Sequence, residues 1–99
     1  MNHELKTWPV YFSAIWDGLK RFEVRLNDRE YRTGDLLRLR EYDEGRYTGR
    51  EIYAIAGYIM SDPHLNLLQD DVIVMQLEEI RREIMEGARD ERQTGMCVL

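Results

Sequence analysis

A short segment near residue 20 gathers side chains that can bind or activate a polar ligand. In the stretch GLKRFEVRLNDR, residues 18–29, Lys20 precedes an alternating run in which Glu23, Arg25 and Asn27 share one side of a strand. Arg and Lys donate hydrogen bonds, Glu accepts them and Asn does both. Such a set can hold the edge of a nucleobase, with Glu23 accepting from an exocyclic amine.

The same residues support two other interpretations. For amide hydrolysis, Lys20 would act as base or nucleophile and Arg25 would polarise the carbonyl. Alternatively, Lys20, Glu23 and Arg25 are solvent-exposed ion pairs on a strand surface, each worth about 0 to 1 kcal/mol. The residue types alone do not distinguish nucleobase binding, amide hydrolysis and exposed ion pairs.

The segment that follows the strand offers a second set of candidate contacts. Asn27 and Asp28 are residues that form turns by bonding to their own backbone. Arg29 and Arg32 flank Tyr31, whose ring can stack on a base. A similar mixture of Arg and Tyr recurs at and beside the predicted hairpin loop 43–50, in Tyr42, Arg46, Tyr47 and Arg50. If the two loops meet, their residues form one positively charged, aromatic wall.

Charge, cysteine content and hydropathy narrow the classes of function. The net charge of -5 argues against a protein that coats nucleic acid indiscriminately, yet residues 1–50 are densely charged and leave room for a localised RNA or anion site. His3, His64 and Cys97 lack zinc-ligand spacing, so we predict no metal and no cofactor. A single cysteine, no signal peptide and no long apolar run predict a cytoplasmic protein without a membrane partner.

One helix and one strand must position the site. Pro9 suits the first turn of a helix, Phe12 and Ile15 recur at helical spacing, and Gly18 marks the helix end. From Phe22 the period changes to two, which predicts a half-buried strand carrying the polar residues. With further strands in LLRLREY, EIYAIAGYIM and VIVMQL, the pattern predicts an α+β domain over residues 1–78. Its core is a small, curved, mostly antiparallel sheet or barrel with flanking helices.

The C-terminal part is predicted to be separate from this domain. Leu77, Ile80, Ile84 and Ala88 recur at helical spacing, so residues 79–99 are interpreted as a charged helix followed by a flexible tail. Such a helix can bind a protein partner or a second copy of the chain. A phage or host interaction module is therefore a further alternative function.

The motifs also resemble a known family. The pattern GLKRFEVR, residues 18–25, and the turn TGD, residues 33–35, before LLRLREY resemble ASCH domains, which share the PUA-like β-barrel fold. The chain is more similar still to a subgroup of unknown function from phages and bacteria, through HELKTWPVYF, EVRLNDR and YTGR. This resemblance covers about His3 to Leu77.

The resemblance implies RNA or nucleotide binding, with an amidohydrolase or nuclease as the rival. Some small ASCH proteins remove an acetyl group from acetylated cytidine with a lysine, a threonine and a glutamate. Lys20 stands at the lysine position, whereas Glu23 occupies the threonine position and nothing matches the distant glutamate. Lys20 and Glu23 are thus the catalytic candidates. The predicted binding residues are Lys20, Glu23, Arg25, Asn27, Arg29, Tyr31 and Arg32.

Overall fold

Five strands and one helix form the part of the chain that the structure, a computed structural model, describes: residues 1–61 and 72–85. In chain order they are β1 (Asn2–Thr7), α1 (Pro9–Trp16), β2 (Phe22–Leu26), β3 (Leu36–Asp43), β4 (Arg46–Met60) and β5 (Val72–Ile84). The helix before the candidate strand, the strand itself and β3 lie where the sequence predicts them, whereas β4 begins earlier and β5 ends later than predicted.

The strands form one curled sheet in the order β1-β3-β4-β5-β2. β1 runs parallel to β3, and the other three neighbouring pairs are antiparallel. Parallel pairing of β1 and β3 requires a crossover connection, and α1 and β2 lie within it. The prediction of a curved, mostly antiparallel sheet is confirmed, and the sheet has the shape of a half-barrel.

The curl brings the two edge strands, β1 and β2, together. Arg25 of β2 donates from Nη2 to the Lys6 carbonyl oxygen at 2.7 Å and to Thr7 Oγ1 at 3.1 Å, both on β1. No backbone ladder joins these two edges in the described sheet. We call the contact of Arg25 with Lys6 and Thr7 the seam.

Helix α1 fills the inside of the curl. Pro9 occupies its first turn, and Phe12 and Ile15 are buried against the inward side chains of the sheet. Gly18 adopts a φ of 82°, a left-handed conformation that favours glycine, and so turns the chain from the helix toward β2. Within the described residues, no helix is long and apolar enough to cross a membrane.

The two Arg and Tyr groups of the sequence do not form one wall. The β3–β4 hairpin turns at Glu44 and Gly45, so its loop is shorter than the predicted 43–50. The segment with Tyr31 precedes β3, and the hairpin follows it. Most of β3 lies between the two groups, because its start at Leu36 is six residues from Tyr42, roughly 20 Å at about 3.3 Å per residue.

The predicted C-terminal helix is wrong over its described part. β5 continues to Ile84, and Arg50, Glu51 and Ile52 of β4 pair with Ile84, Glu83 and Arg82. Residues 78–84 have good helix formers, but the long β4 strand offers them a ladder, and such pairing overrides local propensity. The domain therefore extends past residue 78. The predicted tail, from residue 86 onward, lies outside the described residues.

Candidate functional site

Strand β2 has its charged side inside and its apolar side outside. Glu23 is 3% exposed, whereas Phe22, Val24 and Leu26 are 44%, 48% and 62% exposed. Glu23 pairs with Met75 of β5, whose side chain is also buried. The predicted alternation is confirmed, but the usual rule that the apolar side of a strand faces the core is reversed here.

Glu23 lies between two cations of its own segment. Lys20 Nζ is 3.4 Å from Glu23 Oε1, and Arg25 Nε donates to Glu23 Oε2 at 2.6 Å. Both cationic side chains are mostly covered, at 16% and 23% exposure. The interpretation of these residues as solvent-exposed ion pairs is therefore wrong. Among the described residues, Glu23 Oε1 receives one long contact and keeps acceptor capacity.

Thr7 is a site residue that the sequence analysis missed. Its hydroxyl accepts from Arg25 Nη2 and donates to the Leu5 carbonyl oxygen at 3.4 Å, and the residue is buried. Eighteen positions separate Thr7 from Arg25, and only the curl of the sheet joins them. No local signal could have found this contact. We define the Glu23 site as Thr7, Lys20, Glu23 and Arg25.

Two exposed aromatic rings lie beside Lys20 of the Glu23 site. Lys20 Nζ lies 5.0 Å from the ring centre of Phe22 and 5.6 Å from that of Tyr11, while it also contacts the Glu23 carboxylate. Helix α1 presents Tyr11, and the backbone N–H of Lys20 donates to the Ala14 carbonyl oxygen. The ammonium thus stands between a buried carboxylate and two rings. Rings of this kind can stack on a planar ligand.

The loop after β2, residues 27–32, lines a concavity of about 610 Å³ that is open to solvent. Arg29 contacts Asp28 at 3.4 Å and lies 5.7 Å from the ring centre of Tyr31. Arg32 contacts Glu30 at 3.4 Å. Asn27 is exposed in this loop rather than in the Glu23 site. The predicted residues therefore separate into two neighbouring groups, and acids of the loop partly neutralise its arginines.

Tyr31 connects the loop electrostatically with the Glu23 site. Burial is the main cause that raises the pKa of the Tyr31 phenol above its ordinary value of 10.0, and Asp28 and Glu23 act in the same direction. Arg29 and Arg25 act against them. The phenol is therefore a neutral O–H donor at physiological pH.

Asp35 anchors the far end of this loop. It accepts from the Arg32 backbone N–H at 2.9 Å and lies 2.7 Å from His3 Nε2. Burial alone would raise the pKa of Asp35, but hydrogen bonds from the Arg32 N–H, His3 and the Met1 amino group lower it to about 2. The His3 ring in turn packs on Tyr31, with ring centres 4.6 Å apart. The sequence analysis assigned Asp35 only to a turn and gave His3 no role.

Another buried carboxylate, Glu51, lies on the outer face of the sheet. Arg38 donates to it from Nε and Nη2 at 2.8 and 2.9 Å, and Arg40 Nε donates at 3.0 Å. The Tyr53 hydroxyl contacts it at 3.4 Å, and both arginines also contact Glu4. We call these five residues the Glu51 network. The sequence analysis assigned no role to this network.

The geometry of the Glu23 site fits recognition of a polar ligand that carries a hydrogen-bond donor. Glu23 accepts, Arg25 and Lys20 donate or supply positive charge, and Tyr11 and Phe22 provide ring faces. Within residues 1–61 and 72–85, no three His, Cys, Asp or Glu side chains are placed to hold a metal ion together.

Comparison with known proteins places the chain in a family. A segment of 52 residues is 44% identical to a protein of Escherichia phage P2 described as "Uncharacterized 12.9 kDa protein in GpA 3'region". This match covers 52% of the chain and 48% of the phage protein, so it spans about half of each. Residues 2–77, most of the chain and all of the Glu23 site, match a family of unknown function. The chain therefore belongs to the family described as Domain of unknown function (DUF3850).

Proposed function

We propose that the chain binds RNA or a nucleotide at the Glu23 site. The observation that carries this proposal is the buried carboxylate of Glu23, which lies between two cations at the seam and, among the described residues, keeps acceptor capacity. Burying an ionised group is unfavourable unless it is fully paired. A nucleobase amine would supply the donor that Glu23 Oε1 accepts from, and the cations would contact ring acceptors or a phosphate.

The resemblance to ASCH and PUA-like domains supports the same proposal. It covers β1, α1, β2 and β3, the elements that carry the site and its loop. We propose that the half-barrel is a PUA-like sheet and that its edge at β2 is the ligand side. Tyr31 and Arg29 then contact a neighbouring base or phosphate.

Hydrolysis of an acylated nucleoside is the second candidate, and Thr7 is the observation that favours it. The resemblance implies a lysine, a threonine and a glutamate, and the Glu23 site holds all three residue types within one set of contacts. In this reaction water adds to the acyl carbonyl, the C–N bond breaks and the departing amine takes up a proton. Thr7 and Lys20 are the groups that would orient water and carbonyl.

A binding titration tests the first candidate. Wild type, Lys20→Ala and Arg25→Ala are titrated with nucleosides, nucleotides and short RNAs at two salt concentrations, with Arg81→Ala as control because Arg81 is exposed and pairs with Glu83. We expect RNA affinity to fall with salt, to drop at least about tenfold in both site variants and to persist in the control. Absence of binding to every member of the panel, with all variants folded, would contradict the proposal.

Turnover separates the two candidates. Wild type and Thr7→Val are incubated with acetylated cytidine, and free acetate is measured. Release by wild type and its loss in Thr7→Val, with cytidine binding retained, establishes hydrolysis. Binding without any release leaves the chain a binding protein.

A further inference from the structure

Three aromatic rings form a strip that begins beside the seam and ends at the β3–β4 hairpin. Trp8 directly follows Thr7, and its ring centre lies 6.0 Å from that of Tyr42. Tyr42 in turn lies 5.1 Å from Tyr47, edge to face. We call Trp8, Tyr42 and Tyr47 the aromatic strip. Trp8 and Tyr47 are 57% and 38% exposed, so their rings still present surface to a ligand.

Cations accompany the aromatic strip along its length. Lys6 Nζ lies 4.3 Å from the ring centre of Tyr42, and the Arg40 guanidinium lies 3.8 Å from that of Tyr47. Arg46 is exposed in the same hairpin. Within the described residues, neither Lys6 nor Arg46 forms an ion pair, which distinguishes them from the arginines of the Glu51 network. The exposed acids Asp43 and Glu44 lie in the same hairpin, so the strip is a mixture of rings and charges rather than a purely cationic surface. Exposed rings with cations beside them are typical of surfaces that bind single-stranded nucleic acid.

We propose that the aromatic strip and the Glu23 site bind one ligand together, and that this ligand is single-stranded RNA of several nucleotides. The inference rests on the proposed function, because it assigns the Glu23 site to one base and the strip to the following ones. The seam connects the two surfaces, since Arg25 donates to Lys6 and Thr7, the residues that precede Trp8. Stacking tolerates any base, so the strip adds affinity without adding sequence preference.

The experiment compares an oligonucleotide with its monomers. The probes are a twelve-residue RNA of alternating A and C, AMP and CMP, titrated against the full chain. We expect Trp8→Ala and Tyr47→Ala each to weaken RNA binding about tenfold, as loss of one base stack does, and to leave AMP and CMP affinity unchanged. Tyr58→Ala is the matched control, because Tyr58 is an exposed tyrosine of β4 outside the strip.

A spectroscopic measurement reports on Trp8 directly. The chain has two tryptophans, so Trp16→Phe leaves Trp8 as the single indole and keeps a ring against Phe12. RNA should quench its emission, and AMP and CMP should leave it unchanged. Equal affinity for RNA and monomers, or full RNA affinity in Trp8→Ala and Tyr47→Ala, would overturn the inference. If Glu23→Gln still abolishes binding in that case, the proposed function stands and the strip alone is refuted.

Discussion

Glu23 and Glu51 are two buried glutamates that the same chain treats in different ways. Glu51 receives three guanidinium hydrogen bonds between 2.8 and 3.0 Å and a tyrosine hydroxyl at 3.4 Å. Glu23 receives one short hydrogen bond from Arg25 and one contact of 3.4 Å from Lys20 among the described residues. The Glu51 carboxylate is nearly saturated with donors, whereas Glu23 is not. Burial alone therefore does not distinguish the two glutamates, whereas the number of donors to each carboxylate among the described residues does.

The difference in the number of donors also predicts which of the two glutamates stabilises the fold. Removing the fully paired, buried Glu51 carboxylate leaves Arg38 and Arg40 with only the half-exposed Glu4 as a partner and destabilises the fold. An incompletely paired carboxylate contributes less to folding, because part of its desolvation is not compensated.

Loss of Glu51 should produce the largest change. We expect Glu51→Ala to lower the free energy of unfolding by about 3 kcal/mol, near the low end for a broken buried pair because Arg38 and Arg40 remain partly exposed. Urea denaturation measures the change, and Glu83→Ala, which removes an exposed partner of Arg81, should cost less than about 0.5 kcal/mol. A loss below about 1 kcal/mol in Glu51→Ala would show that the Glu51 network does not stabilise the fold.

Neutralising Glu23 should separate binding from stability. We expect Glu23→Gln to weaken RNA affinity by about 10- to 100-fold, the effect of a lost charged hydrogen bond, and to change the free energy of unfolding by less than about 1 kcal/mol. Titration and urea denaturation of the same preparation measure both. If the variant unfolds as readily as Glu51→Ala yet binds normally, the two glutamates have the opposite roles.

Asp35 extends the comparison to a third buried carboxylate. Its folded pKa of about 2 lies below the unfolded value of 3.8, so ionised Asp35 stabilises the fold above pH 4, and this stability is lost as pH falls from about 4 to about 2. Between pH 5 and pH 3 we expect a loss of roughly 1 kcal/mol that is absent in Asp35→Asn. Urea denaturation at both pH values measures it. Equal slopes in wild type and variant would show that Asp35 is not held ionised.

The outer side of β2 should give the smallest effect. Val24 is about half exposed beside buried Glu23, so Val24→Thr should change the free energy of unfolding by less than about 0.5 kcal/mol. Ile73→Thr, on the buried side of the neighbouring strand, should cost about 2 kcal/mol or more because a buried hydroxyl replaces an apolar group. Similar losses of unfolding free energy in Val24→Thr and Ile73→Thr would show that the apolar side of β2 is buried and that Glu23 is exposed.

Local sequence patterns predicted where the helix and the strands lie, whereas contacts between distant parts of the chain determine which of their side chains are buried. Pro9, the helical spacing of Phe12 and Ile15 and the change of period at Phe22 identify α1 and β2 without further information. The same periodicity cannot tell which side of β2 faces inward, because both sides alternate equally. Only the position of β2 at the edge of the curled sheet puts Glu23 inside.

The misassigned and missing residues have the same cause. Residues 78–84 have a helical pattern, yet their ladder with β4 is a contact between distant parts of the chain. Thr7 joins the site only through Arg25, which belongs to the opposite edge strand. The charged cluster of Lys20, Glu23 and Arg25 was predictable because its members are neighbours in sequence. Its burial was not.

The seam differs in strength from every other junction of the described sheet. Every other junction of the described sheet is a backbone ladder, but this one consists of two hydrogen bonds from a single guanidinium. Hydrogen bonds with a charged partner contribute about 1.5 to 3 kcal/mol each, against about 5 to 15 kcal/mol for unfolding a domain. The two edges are therefore the part of the described sheet that we expect to separate at the lowest cost in free energy, before the strands themselves unfold.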